Sequence, residues 1–175
     1  SGQRVLVTGA SGGVGTFAVQ IAKSFGAEVT GVCSTEKLDL VRSIGADIVI
    51  DYTRQDITEN EGRYDLILDV GGYRSIRDTR RALRPDGTHV FVGGSNARLF
   101  EAMLLGPMLS MMGGPVTRSL MAEPNTDDLI DLRELVETGD VTPAIDRRFT
   151  LADVPDAIRY LEGGRARGKV VVSMG

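Results

Sequence analysis

Short apolar runs alternate along the chain with stretches whose apolar residues recur every three or four positions. Arg4 to Thr8 is apolar without a period-two alternation, the pattern of a strand buried on both faces of a parallel sheet. A glycine-rich turn from Gly9 to Gly15 follows. Phe17, Ala18, Ile21, Ala22 and Phe25 then fall on one helical face, which Gly26 ends. Glu28 to Cys33 reads as a second strand. Ser34 and Thr35 cap a helix bearing Leu38, Leu40, Val41 and Ile44, which stops at Gly45. Ile48 to Ile50, Tyr64 to Val70 and Thr88 to Val92 read as the next three strands. Before the last of these, a helix with Ile76, Thr79, Arg80 and Leu83 ends at a Pro85-Asp86-Gly87 turn. Further on, Leu99 to Met112 has a helical pattern broken at Gly106-Pro107, and Val116 to Met121 reads as a sixth strand. Thr126 is the expected cap of a helix through Val136. Ile145 to Thr150 and Lys169 to Met174 read as strands around a short helix from Leu151 to Leu161.

Strands alternating with helices of this length make βαβ units and a parallel sheet. Right-handed crossovers then predict an α/β, doubly wound sheet with helices on both faces and strand order 3-2-1-4-5-6. The chain's 175 residues suit one such domain with a small appendage. A net charge of −4 argues against a nucleic-acid partner, which would be met by a basic excess. The single cysteine, Cys33, forms no internal disulfide, which points to a reducing compartment and a cytoplasmic location. No charged-then-apolar leader opens the sequence, and no uncharged run reaches the roughly 18 residues of a membrane span. One histidine and one cysteine far apart do not make a zinc set, so no metal site is expected.

The strongest chemical signal is Thr8-Gly-Ala-Ser-Gly-Gly-Val-Gly15. Gly9 turns the chain off the strand, Gly12 or Gly13 lets backbone approach a pyrophosphate, and Gly15 lets the helix pack tightly. The helix N-terminus then offers unpaired N–H groups to the anion. The position between a buried strand and an amphipathic helix is the context this motif needs to mark a Rossmann dinucleotide site. The same letters fit the short-chain dehydrogenase pattern T-G-x-x-x-G-x-G, but no tyrosine has a lysine four residues later.

The second strand ends without the acid that normally binds a ribose 2′-OH, which permits NADP. Ser34 can hydrogen-bond a 2′-phosphate, Lys37 can supply charge, and Tyr52 follows the neighbouring third strand. Glu36 is the counter-indication, since it favours NAD. The bland alternative is that Ser34 only caps a helix and Lys37 is solvated.

GASGGVG, VCSTEK, GADIVIDY, LDVGG and GGRARGKVVVS, in this order, resemble the medium-chain dehydrogenase/reductase superfamily, and within it the quinone oxidoreductase branch with its zeta-crystallin-like and reticulon-interacting-protein-like members. The resemblance implies a hydride transfer from NADPH to a quinone, enone or related carbonyl. It implies that Ser11, Gly12, Gly13, Val14 and Gly15 hold the pyrophosphate, and that Ser34, Lys37 and Tyr52 form the 2′-phosphate pocket. Val70 and Gly71, then Gly93, Gly94 and Ser95, would lie near the ribose and nicotinamide, and Arg165, Ala166 and Arg167 would touch the cofactor late in the chain. It also implies a homodimer through the edge strand Val116 to Met121. Residues 1–140 would be the NAD(P)-binding domain, and 141–175 a tail that in the family returns to a GroES-like catalytic domain. That domain precedes the glycine loop in the family and has no counterpart in this chain. The tail strands are therefore expected to fold back elsewhere or stay exposed. Two other readings stand beside this one: a non-catalytic NADP(H)-sensing module, and a fragment of a zinc-dependent alcohol dehydrogenase.

No catalytic acid, base or nucleophile is expected within the chain. His89 falls inside a buried strand and reads as a paired core or edge histidine. Cys33 reads as a small buried residue. Asp65 and Asp69 are not spaced as a carboxylate pair. Arg77, Arg80, Arg81 and Arg84 read as a solvated helix face. Met103, Met108, Met111 and Met112 read equally as core or as a flexible contact surface.

Overall fold

A computed structural model describes residues 2–57, 61–93, 113–120, 123 and 125–174. Six parallel strands, β1 (Arg4–Thr8), β2 (Glu28–Cys33), β3 (Ile48–Asp51), β4 (Tyr64–Asp69), β5 (Leu83–Phe91) and β6 (Val116–Ser119), form one sheet in the order β3-β2-β1-β4-β5-β6. This is the doubly wound order expected, with its switch point between β1 and β4. The connecting helices are α1 (Gly15–Ser24), α2 (Leu38–Ser43) after a 3₁₀ turn at Thr35–Lys37, and α3 (Ile76–Arg81).

The continuous apolar runs do bury both faces. Val5, Val7 and Val29 pack with Val19 of α1 and Val41 of α2, while Leu6, Val32, Ile50 and Ile67 pack on the opposite face with Tyr64 and Leu83. Gly31 is forced by this packing, since a Cβ there would collide with the Val41 side chain. The strands therefore end together, and their carboxyl edges carry the loops of interest.

Several boundaries differ from expectation. Pro85-Asp86-Gly87 is not a turn ahead of the strand but lies within β5. The pairing steps from Tyr64–Leu83 to Leu66–Thr88, so the extra residues form an outward bulge that leaves Pro85 and Asp86 exposed. The cap of the later helix α4 (Thr126–Glu137) is Asn125, whose side chain accepts from the Asp128 amide, and Thr126 is the first helical residue. Strands six and eight stop at Ser119 and Ser173. The helical pattern at 99–112 and its methionines, together with Met121, lie outside the described residues.

The tail folds as β7 (Ile145–Thr150), a 3₁₀ turn, α5 (Val154–Glu162) and β8 (Lys169–Ser173). β7 and β8 pair with each other in parallel as a separate two-stranded sheet. Leu151, Ile158 and Leu161 of this unit are exposed.

Candidate functional site

The glycine loop leaves β1 at Gly9, whose φ of +63° suits only a residue without a Cβ. It folds back so closely that a Cβ on Gly15 would collide with the Gly9 carbonyl and stand 2.7 Å from the Ala10 Cα. α1 begins there with no side-chain cap. The amides of Gly13, Val14 and Gly15 donate to no acceptor among the described residues. Three adjacent unpaired N–H groups at a helix start form an anion cradle.

The segment 163–168 crosses in front of this loop. The Gly168 amide donates to the Ser11 carbonyl at 2.9 Å. Gly168 has φ +98°, and a Cβ there would collide with the Ala144 carbonyl, so this crossing also requires glycine. On one side, the Lys37 ammonium donates to the carbonyls of Gly164 at 3.2 Å and Ala166 at 3.0 Å. On the other, the Asp146 carboxylate accepts from the Arg167 amide at 3.0 Å and from the Tyr160 hydroxyl at 2.7 Å. Burial alone raises the Asp146 pKa, but these two hydrogen bonds outweigh it and hold the group below its ordinary value. The Lys169 side chain then lies over Gly13, with Nζ 5.3 Å from the Phe17 ring centre.

Between strap and loop lies a cavity of about 170 Å³, lined by Ser11, Ser34, Lys37, Tyr52 and Arg165 together with Gly9, Cys33, Glu36, Tyr73 and Gly164. Five expected site residues from four separate stretches of sequence thus converge. Ser34 does not cap the following turn, and its hydroxyl makes no hydrogen bond among the described residues. Lys37 is not simply solvated, because two of its three donors hold the strap. The turn bearing Ser34 is anchored by Asp51, which accepts from the Thr35 hydroxyl at 2.5 Å and from Thr53. The Thr35 bond is the main reason the Asp51 carboxyl lies below the usual range. Cys33 is buried, as expected. Burial first, and the Asp51 carboxylate second, push its thiol up to about 11.

Val70, Gly71 and Gly93 gather on the far side of β1. Thr8 donates from its hydroxyl to Asp69 at 2.5 Å and accepts from the Gly71 amide at 3.0 Å; Asp69 also accepts from the Gly72 amide. A Cβ on Gly9 would lie 3.1 Å from the Gly71 nitrogen, and one on Gly93 would lie 3.3 Å from the Val70 oxygen. The three turns after β1, β4 and β5 are thereby locked together. His89 is fully buried with Nε2 3.4 Å from Asp69, the paired core position expected. Burial raises the Asp69 pKa, but the bonds from His89 and Thr8 prevail and hold it low. Arg81 pairs with Glu61 and Arg84 with Asp65, so the arginine row is partly engaged in ion pairs. Gly94 and Ser95 lie outside the described residues. Val14 is exposed at the mouth.

Sequence reasoning missed Tyr73. Its ring stacks on Tyr52 with centroids 5.0 Å apart and planes at 21°. It rests on Gly71, where a Cβ would collide with it. Both rings also line a second cavity of about 220 Å³, with Thr8, Val32, Ile57, Asp69 and Thr79. The available signal was a tyrosine two residues beyond a strand-ending glycine. Among the described residues, no group of three His, Cys, Asp or Glu side chains is placed to hold a metal, and no helix is long and apolar enough to cross a membrane.

Residues 44–172 match the zinc-binding dehydrogenase family. The chain is 37% identical to the mitochondrial NAD(P)H oxidoreductase RTN4IP1 of Danio rerio, over 98% of this chain and 49% of that protein. It is 34% identical to the chloroplastic NADPH-dependent alkenal/one oxidoreductase of Arabidopsis thaliana, over 98% and 41%. A quinone oxidoreductase from Coxiella burnetii superposes with a TM-score of 0.86 at 26% identity, covering all of this chain and 54% of that one. The chain spans about half the length of the curated relatives it matches. It belongs to the zinc-binding dehydrogenase family, within the medium-chain dehydrogenase/reductase superfamily that its motifs resemble.

Proposed function

We propose that this chain binds NADP(H) along the carboxyl ends of β1, β2 and β4, as the cofactor-binding half of an oxidoreductase acting on a quinone, enone or related carbonyl. The observation that carries this reading is the cavity where the unpaired Ser34 hydroxyl, Lys37 and Arg165 meet beside the free amides of Gly13, Val14 and Gly15. Two cations against the single acid Glu36 suit a 2′-phosphate better than a bare ribose hydroxyl. The open space beside Gly13, where a Cβ would press on the Lys169 side chain, fits the pyrophosphate. The relatives named as NAD(P)H or NADPH oxidoreductases, alkenal/one reductase and quinone oxidoreductase support the cofactor and substrate class.

When bound, the nicotinamide supplies the hydride, and the protein contributes binding and orientation. The amides of 13–15, with Ser11 and Gly12, hold the pyrophosphate. Ser34, Lys37, Tyr52 and the strap residues Arg165, Ala166 and Arg167 enclose the 2′-phosphate. Val70, Gly71 and Gly93, with Gly94 and Ser95 on the strength of the resemblance alone, are assigned to the ribose and nicotinamide. No residue of this chain is assigned a proton or a nucleophilic role. Residues 1–140 form the nucleotide-binding domain, and 141–175 the tail directed toward a catalytic domain. A reducing compartment, the cytoplasm in the simplest case, fits the single buried thiol; mitochondria, where several relatives are named, fit it equally.

Replacing Gly13 with Asp tests the loop. The new carboxylate occupies the pyrophosphate cradle and faces the Lys169 ammonium, so NADPH binding measured by calorimetry is expected to vanish; retained affinity would contradict the assignment. The outer edge of β6, unpaired among the described residues, is the proposed dimer contact. Light scattering is expected to give a dimer that Leu120→Asp, at an exposed position just past that strand, shifts toward monomer; a wild-type monomer would exclude it.

A further inference from the structure

We infer that Tyr73 and Tyr52 together form the aromatic wall against which the adenine ring of the dinucleotide stacks, with Tyr73 an adenine-binding residue. The inference rests on the NADP(H) reading. A base attached to a ribose whose 2′-phosphate lies at Ser34, Lys37 and Arg165 is within one sugar's reach of that cavity. It must therefore lie against residues that border it. The aromatic surfaces among those residues are Tyr52 and Tyr73.

Both rings also border the neighbouring 220 Å³ cavity, whose apolar lining includes Val32 and Ile57 and whose floor carries the Thr8 and Asp69 polar groups. A flat, mostly apolar ring with polar edges matches that lining. The rings remain 41% and 53% exposed for Tyr52 and Tyr73 although they stand side by side in a cleft. Neither hydroxyl has a hydrogen-bond partner among the described residues. The missing Cβ at Gly71 is what lets Tyr73 lie this close to the turn. Stacking of a base on an aromatic face needs the ring and not the phenol oxygen.

The test compares wild type, Tyr73→Phe and Tyr73→Ala by calorimetric titration with NADPH and with 2′,5′-ADP, alongside each variant's melting temperature. Tyr73→Phe is expected to stay within about twofold of wild type. Tyr73→Ala is expected to weaken NADPH and 2′,5′-ADP by the same factor, about tenfold or ~1.4 kcal/mol, with the melting temperature unchanged because the ring is half exposed. Unchanged affinity in Tyr73→Ala would overturn the inference. So would tighter binding, which would mean that the ring obstructs the base. A wild-type protein that binds neither ligand would instead overturn the cofactor reading itself.

Discussion

Lys37 shows how one side chain serves two purposes at the residue scale. Its ammonium ties the strap through the Gly164 and Ala166 carbonyls and still contributes its charge and one remaining donor to the cavity beside Ser34. The sequence made its charge visible, but not the carbonyls more than a hundred positions away that claim most of its donors. Ser34 is the converse case. Its place at the start of a turn suggested a cap, yet its hydroxyl has no hydrogen-bond partner among the described residues, and Asp51 anchors the turn through Thr35 instead. Lys37→Met is expected to weaken NADPH by about 10- to 100-fold, since hydrogen bonds to charged groups contribute ~1.5–3 kcal/mol, and NADH only by the few-fold share due to the strap. Equal losses for both cofactors would assign Lys37 to the strap alone. Tyr73 was illegible for a different reason. A lone aromatic in a loop has no periodicity, and its stacking on Tyr52 exists only once β3 and β4 have been brought to the same sheet edge.

At the scale of elements, the strands and the glycine loop were plain because each is local. Runs buried on both faces lack alternation, and the loop's glycines answer steric demands within a few residues, as the Gly15 collision with Gly9 demonstrates. The Pro85-Asp86-Gly87 bulge was misread because turn chemistry and bulge chemistry use the same residues, and only pairing with β4 distinguishes them. The strap was legible as a family resemblance, but not in its fastening. Asp146 holds the Arg167 amide and the Tyr160 hydroxyl, whose ring lies 4.2 Å from the Arg147 guanidinium. Asp146→Ala is therefore expected to free the strap and weaken NADPH about tenfold, ~1.4 kcal/mol, whereas Asp146→Asn, which keeps an acceptor for the amide, recovers most of the loss. Because the Asp146 pKa is depressed, its contribution is complete above the ordinary carboxylate value of about 3.9 and fades only as pH falls through the lower native value. Wild-type affinity should thus show no Asp146-dependent change between neutral pH and about pH 5. An Asp146→Ala protein that binds like wild type would remove the strap from the account.

On the scale of the whole molecule, two sheets of unequal size meet at the cavity lined by Ser34, Lys37 and Arg165. The six-stranded sheet supplies the cradle and the turns, and the small β7–β8 unit supplies the strap, the Gly168 bond to Ser11 and the Lys169 cover over Gly13. The tail strands pair with one another, leaving the outer apolar residues Leu151, Ile158 and Leu161 at the surface. The sequence had left open whether they would pair at all, since a two-stranded parallel unit carries little local signature beyond β-branched residues. The relatives are about twice as long as this chain, and substrate choice is proposed to reside in the portion of their length beyond the match. The cavity at Ser34, Lys37 and Arg165 is proposed to recognise a 2′-phosphate. A parallel calorimetric titration of the wild-type protein with NADPH and NADH tests it most directly, and the absence of tryptophan makes heat a better signal than intrinsic indole emission. NADPH is expected to bind at least about tenfold more tightly, the equivalent of ~1.4 kcal/mol. Equal affinity, or a preference for NADH, would contradict the account and assign the cavity's recognition to Glu36 and a ribose hydroxyl.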